Sequence, residues 1–505
     1  MTVAGRHAPL AMDAGTFKAL GHALIDQIGD LLAAVPRGPV TPDPSPAAIR
    51  EALDLTAPLP EHGTDPAVLL PQAARQLFAH SLFNGQPRFF GYITASPAPI
   101  GMLGDLLASA LNPNVGSWTL GPAATEVEAQ TVRWIAELIG FPAGDGLLVT
   151  GGNMANIVCL LAARAAAAPW DVRAGGLAAG GGRDLVLYAS RETHTWIQKA
   201  ADICGLGTGA IRWIDTTPDL RVDVDLLARA IDADLASGRV PFLVVGTAGS
   251  VSTGAIDPLQ DLAALCRDRG IWFHVDGAYG AFAAALPDAP ADLRALADAD
   301  SVAVDPHKWL YAPLEAGCAL VRHPDALTRA FAYHPPYYHF DERAVNFVDR
   351  GPQNSRGFRA LKIWLALRQV GAAGYRRMIG DDIALARRLA EAIAGHPELD
   401  LMTQALSITT FRYVPADLRR TLNDAPVADY LDSLNAAILD ALQHGGELFV
   451  SNAVIHGRYA LRACVVNFHT SEDDIDAVPA IVAAHGARID ARMRATTYRG
   501  HVAST

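Results

Sequence analysis

The stretch Ser301-Val302-Ala303-Val304-Asp305-Pro306-His307-Lys308-Trp309 decides the fold. Four small or β-branched residues stop abruptly at an acid, an imidazole and an amine. A short apolar run of this kind reads as a strand buried on both faces, the signature of a parallel sheet. Similar runs lie at 184–189, 210–214, 242–246, 271–275 and 318–321. Helical stretches at 222–236 and 257–269 fit between them. This alternation predicts an α/β, doubly wound, mostly parallel sheet. Open sheets of that class bind ligands at the carboxyl ends of their strands, where Asp305, His307 and Lys308 stand.

Three further strand ends carry chemistry. In Trp272-Phe273-His274-Val275-Asp276-Gly277-Ala278-Tyr279-Gly280 a strand again ends in a carboxylate, read as pointing away from His274. Asp276 can hold a pyridinium N–H, and Ala278 lets a flat ring approach. In Leu148-Val149-Thr150-Gly151-Gly152-Asn153-Met154 a strand meets Gly-Gly-Asn and then a helix, 154–167, whose free N–H groups suit a phosphate. In Ser190-Arg191-Glu192-Thr193-His194 an imidazole follows a strand and can stack on an aromatic ring. Singly each has a plain structural reading: a cap, a turn, a solvated lysine. Together they describe a pocket for pyridoxal 5′-phosphate (PLP), which needs an amine for its aldehyde, an acid for its ring nitrogen and an anion site.

The chain has 505 residues, half of them apolar and 19% charged, which is globular. With 41 Lys+Arg against 53 Asp+Glu the net charge is −12, which disfavours nucleic acid or an anionic membrane as partner. The start of the chain shows no signal peptide, and no apolar run reaches bilayer length. Five scattered cysteines read as buried thiols in a reducing, cytoplasmic setting. Sixteen histidines include no metal-ligand spacing, so no metal is expected.

Three regions are expected. Residues 1–96 form an N-terminal segment: an amphipathic helix at 12–35, then a Pro-rich, extended surface connector from 36 to 60. That segment is too thin to be a domain and should pack on a partner subunit. Residues 97–372 form the large α/β domain. Residues 373–505 form a smaller α+β domain, after a long helix at 355–370. Within it, helices are expected at 376–395 and 426–443, strands at 406–412, 447–451 and 459–466, and a final helix from 471. The glycines at 175–182 read as a surface loop.

The chain resembles the group II PLP-dependent amino acid decarboxylases, the aromatic-L-amino-acid decarboxylase type of fold type I, over about residues 12–485. Besides the four strand ends, the resemblance rests on Pro87-Arg88-Phe89-Phe90-Gly91-Tyr92, on Pro122-Ala123-Ala124-Thr125-Glu126-Val127-Glu128 and on Arg356-Gly357-Phe358-Arg359-Ala360-Leu361-Lys362. It implies that Lys308 forms the Schiff base with PLP and that Asp276 pairs with the ring nitrogen. Ala278 and His194 are implied on opposite faces of the ring. Gly151, Gly152 and Asn153 are implied at the phosphate, with Thr247 and His307 also at the cofactor. Tyr337, in a long loop at 333–354 read as a lid, matches the family's loop tyrosine and is implied as proton donor after CO2 leaves.

The resemblance further implies a homodimer acting on a small amino acid, most simply aromatic (Tyr, DOPA, Phe or Trp). Tyr92, Ile93 and Thr94 replace an aromatic wall of the animal enzymes, and Ser355 is a vote for phenolic substrates. Asp305 replaces an Asn near the phosphate and is expected to point elsewhere. The alternatives are a PLP-dependent aldehyde synthase, against which Tyr337 and His194 argue, and a decarboxylase for glutamate, 2,4-diaminobutyrate or a specialised amino acid, with Arg88 as a possible distal cation. A PLP-binding scaffold without turnover is the last.

Overall fold

The computed structural model describes residues 8–334, 344–422 and 424–502. Its main sheet has seven strands: β1 (Asp145–Val149), β2 (Leu185–Ser190), β3 (Ile211–Ile214), β4 (Val240–Thr247), β5 (Trp272–Asp276), β6 (Ser301–Val304) and β7 (Gly317–Val321). Their order is β1-β7-β6-β5-β4-β2-β3. Every residue of β1, β2, β5, β6 and β7 is buried, as a sheet covered on both faces requires. Helices Gly152–Ala167, Val224–Ala236 and Leu259–Arg269 pack against it.

The strands from β3 to β6 pair in parallel. The expectation of a parallel strand at 318–321 is corrected, since β7 runs antiparallel to both β6 and β1. The link from β6 to β7 contains only a turn, and without a crossover helix the chain must return antiparallel. The carboxyl ends of β1, β2, β4, β5 and β6 therefore share one edge with the amino end of β7. There the backbones of Gly151 and Gly317 touch so closely that a Cβ on Gly317 would lie 2.5 Å from Gly151 Cα.

A second sheet, β8 (Leu399–Ala405), β9 (Ile408–Tyr413), β10 (Ser451–Ile455) and β11 (Arg458–Cys464), is antiparallel in the order β10-β11-β9-β8. It packs with helices Ala360–Ala394, Ala425–Gly445 and Glu472–Val502. The two expected helices at 355–370 and 376–395 lie within Ala360–Ala394 and are separated at Gly371, whose non-helical φ of +66° favours glycine. β8 has no counterpart among the expected strands. β10 starts where the strand expected at 447–451 ends: Phe449 bridges Phe89 instead, and the ladder with β11 begins at Ser451.

Helix Ala14–Ala34 starts at Asp13, whose carboxylate accepts from Gly15 N and Thr16 N. None of its residues is buried, and it packs on helix Pro66–His80. The extended connector is corrected. Within it Ser45 caps helix Pro46–Ala52, because a proline at the first helical position starts a helix rather than blocking one. The Gly-rich piece is likewise not a plain loop: helix Val172–Gly175 and a 3-10 turn, Leu177–Gly180, fold beside Trp170, whose indole donates to Gly176 O. The five cysteines are free thiols, four of them buried. No described helix is long and apolar enough to cross a membrane.

Candidate active site

The strand ends open onto one cavity of about 530 Å³, and Gly151, Gly152, Asn153, His194, Thr247, Asp276, Ala278, His307 and Lys308 all line it. It thus unites the sequence-predicted cofactor residues. Tyr92, Ile93 and Thr94 line its wall as well. Ser355 is exposed and is not among the lining residues, and Tyr337 lies outside the described residues.

Lys308 sits in the turn after β6. Its Nζ is 3.1 Å from Asp305 Oδ2. His307 is fixed by Nδ1, 2.6 Å from Ala316 O, and turns Nε2 toward Asp305 at 3.6 Å. Burial holds the His307 pKa below the usual imidazole range. Trp309 and Tyr311 anchor the same turn. Trp309 Nε1 and Tyr311 Oη donate to Asp382 Oδ2 at 3.0 and 2.6 Å.

Asp276 ends β5, nearly buried. Its Oδ2 accepts from Trp196 Nε1 at 2.7 Å and its Oδ1 from Ala278 N at 3.2 Å. The reading that Asp276 points away from His274 is overturned. Residues two apart on a strand share a face, and the indole of Trp196 meets both, lying edge-on to the His274 ring at 5.9 Å. His274 is held in turn by Asn156 Oδ1 at 2.6 Å and Ser301 Oγ at 2.9 Å. Burial drives its pKa down to about 4, so it is neutral. His194 faces the cavity. Its Nδ1 accepts from Trp196 N at 3.2 Å, and partial burial lowers its pKa against the pull of Asp276.

The expected anion site lies at the start of helix Gly152–Ala167. Gly151, at φ +138°, is its N-cap and supplies no side-chain acceptor, which leaves the first-turn amides without a side-chain cap. Asp305 does not point elsewhere, as the sequence reading expected. A Cβ on Gly152 would lie 2.6 Å from Asp305 Oδ2 and 3.2 Å from Ala278 Cβ. The carboxyl thus packs against the helix start, where the positive end of the helix dipole favours an anion.

Arg462 is the functional candidate that sequence reasoning missed. It sits on β11, 3% exposed, and lines the cavity. Nη1 donates to Tyr92 O at 3.2 Å and Ser451 Oγ at 2.9 Å, while Nε and Nη2 have no partner among the described residues. Burial lowers its pKa. The signal was one arginine in the apolar strand Ala460-Leu461-Arg462-Ala463-Cys464, where a buried cation demands a reason. Arg88, the cation considered from sequence, pairs instead with Asp474 at 3.1 Å.

Residues 46–414 match the pyridoxal-dependent decarboxylase conserved domain. The chain belongs to this pyridoxal-dependent decarboxylase family. An aromatic-L-amino-acid decarboxylase of Bacillus atrophaeus is 32% identical over 92% of this chain and 94% of its own. A phenylacetaldehyde synthase of a Rosa hybrid cultivar is 28% identical over 94% of each. Among solved structures, mouse CSAD in apo form superimposes with a TM-score of 0.88 at 28% identity, over 94% of this chain and 99% of that one. Oryza sativa TDC with PLP and tryptamine gives 0.87 at 26%, over 96% and 100%. This decarboxylase is a fold type I, PLP-dependent carboxy-lyase.

The site fits PLP on its own geometry. The uncapped helix start offers amides, and Gly152 has no room for a side chain. Asp276 is a buried carboxylate held from one side by Trp196, and Lys308 is an amine within the same cavity.

Proposed function

We propose that this enzyme decarboxylates an L-amino acid with an aromatic side chain to the corresponding amine and CO2. The observation that carries this reading is the meeting of Lys308, Asp276, His194 and the uncapped helix start at Gly152 in one cavity. Bound PLP supplies the electron sink for the carbon that loses CO2. In this reading Lys308 Nζ would hold the cofactor by its aldehyde. Asp276, kept from rotating by Trp196, holds the proton on the ring nitrogen. His194, whose pKa burial lowers, would face one side of the ring, and Ala278 would leave room on the other. Gly151, Gly152 and Asn153 bind the phosphate, with Thr247 and His307 at the rim. Arg462, with two unpaired nitrogens, takes the substrate carboxylate. Tyr337 returns the proton to the substrate carbon, which favours amine over aldehyde.

The aromatic side chain is favoured by the aromatic-L-amino-acid decarboxylase of Bacillus atrophaeus and by the tyrosine and tryptophan decarboxylases among the relatives. Tyr92, at the cavity wall with Phe449 at 6.3 Å, offers such a side chain an aromatic surface. Arg462 favours a second reading, an acidic substrate whose distal carboxylate it would pair. A panel of Tyr, DOPA, Phe, Trp, Glu and 2,4-diaminobutyrate, with amine, aldehyde and peroxide measured, separates the two. Amine from an aromatic substrate supports the first, turnover of Glu alone replaces it, and aldehyde with peroxide moves the enzyme to the synthase branch.

We also propose a homodimer in the cytoplasm, divided into 1–96, 97–372 and 373–505. The exposed Phe17 and Ile25 on the first helix, and Leu103, Leu106 and Leu107 on helix Pro99–Leu111, favour a covering partner. Free thiols favour a reducing compartment.

A further inference from the structure

We infer that Asp305 makes cofactor binding proton-linked: its carboxyl takes up a proton when the PLP phosphate is seated. The inference rests on the Gly151–Asn153 turn as the phosphate seat and goes beyond it in assigning the Asp305 proton.

Asp305 is 3% exposed, and its two oxygens have different surroundings. Oδ2 faces Lys308 Nζ at 3.1 Å and the start of helix Gly152–Ala167. Oδ1 is buried with no hydrogen-bond partner among the described residues. The carboxyl is therefore faced by one amine and one helix start. The other groups facing it add no cation. His307 from its own turn and His194 from the turn after β2 are both kept neutral by burial. Cys318 on β7 is a thiol pushed up by burial. Ala278, from the turn after β5, adds only a carbonyl, which accepts from Asp305 N.

A phosphate dianion claims that same helix start. It brings acceptors only, and so does a carboxylate. Two anions against one ammonium and one helix end behave like paired carboxylates, where one ionisation is suppressed. The proton goes to the Asp305 carboxyl, which has an unpaired oxygen to carry it. An asparagine there would supply a donor at no proton cost. The aspartate makes loading of the enzyme fall off as pH rises.

Pyridoxine 5′-phosphate tests this, because it has the ring and phosphate of PLP but an alcohol that cannot react with Lys308. It is titrated into the full-length enzyme stripped of PLP, as wild type and Asp305→Asn, at pH values between about 6 and 9. Wild-type affinity should fall about tenfold more per pH unit than that of the variant, the slope of one linked proton. Calorimetry in buffers of different ionisation heat should find about one more proton taken up by wild type. Asp305→Ala should match Asp305→Asn in proton count, and His307→Gln should keep the wild-type uptake. Equal slopes and counts in wild type and Asp305→Asn overturn the inference, as does loss of uptake in His307→Gln. Failure of inorganic phosphate to compete with pyridoxine 5′-phosphate overturns the phosphate seat itself, and this inference with it.

Discussion

Trp196 Nε1 donates to Asp276 Oδ2 at 2.7 Å, and the same tryptophan offers its backbone N–H to His194 Nδ1 at 3.2 Å. One residue thus orients both the acid and the imidazole of the site. Replacing Trp196 by Phe keeps most of the packing but removes the indole donor. A hydrogen bond to a charged group contributes about 1.5–3 kcal/mol, so PLP should bind roughly tenfold or more weakly. Equilibrium titration of the stripped enzyme measures it. Unchanged affinity would show that Asp276 is held by the strand alone.

The strands of the main sheet were legible because each is a short apolar run buried on both faces. The site was legible for a related reason, since polar residues at the ends of such runs stand out. What was not legible depended on strand pairing and on neighbours that only the folded chain brings together. The direction of β7 is set by a link without a helix, and β8 reads as a strand only beside β9. Arg462 becomes a candidate only because Tyr92 and Ser451 pair one nitrogen and leave the others without a partner among the described residues. Asp305 looked misplaced beside a phosphate until Lys308 and the helix start were seen around it.

Arg462 gives a second prediction. If its free nitrogens take the substrate carboxylate, Arg462→Met should raise KM for the aromatic substrate tenfold or more, the order of a lost charge-assisted contact. Arg462→Lys should recover part of the loss, since a point charge cannot reproduce the guanidinium fork. PLP absorbance should be retained in both, because Arg462 belongs to the second sheet. A KM unchanged in the methionine variant would remove Arg462 from substrate binding.

Glu128 and Arg356 predict the cost of breaking a buried charge pair. Both are nearly inaccessible, at 0% and 1% side-chain exposure. Glu128 also accepts from Leu148 N at 2.9 Å, and Arg356 reaches Val115 O at 3.3 Å. The pair thus fixes the strand that leads into Gly151. Glu128→Gln leaves a buried guanidinium uncompensated, which costs about 3–5 kcal/mol. Urea unfolding of the single variant measures that cost. Glu128→Gln with Arg356→Met, which removes both charges, should be less destabilised than the single variant. A single variant as stable as wild type would mean that hydrogen bonds alone hold this corner.

Asp382 sets a pH dependence whose sign follows from its burial. Burial raises its pKa from 3.8 to about 7, against the hydrogen bonds from Tyr311 and Trp309. The folded protein therefore keeps a proton that the unfolded chain has lost between about pH 4 and 7. Stability must fall as pH rises through that window and level off above it, by up to about 1.4 kcal/mol per pH unit. Asp145 and Asp257, each raised to about 6 by burial, add to the fall. His274, lowered to about 4, opposes it, because the unfolded imidazole binds a proton that the folded one refuses. Total stability mixes these signs, so the measurement is the difference between wild type and Asp382→Asn in urea at a series of pH values. The asparagine carbonyl still accepts from Trp309 and Tyr311 but carries no charge. Wild type should lose stability relative to the variant between about pH 4 and 7 and track it above. Because Trp309 and Tyr311 flank the turn that presents Lys308, the variant should also hold PLP more evenly across that window. A difference that stays flat from acid to neutral pH would mean that Asp382 is ionised in the folded protein, and that its two donors suffice to hold the charge.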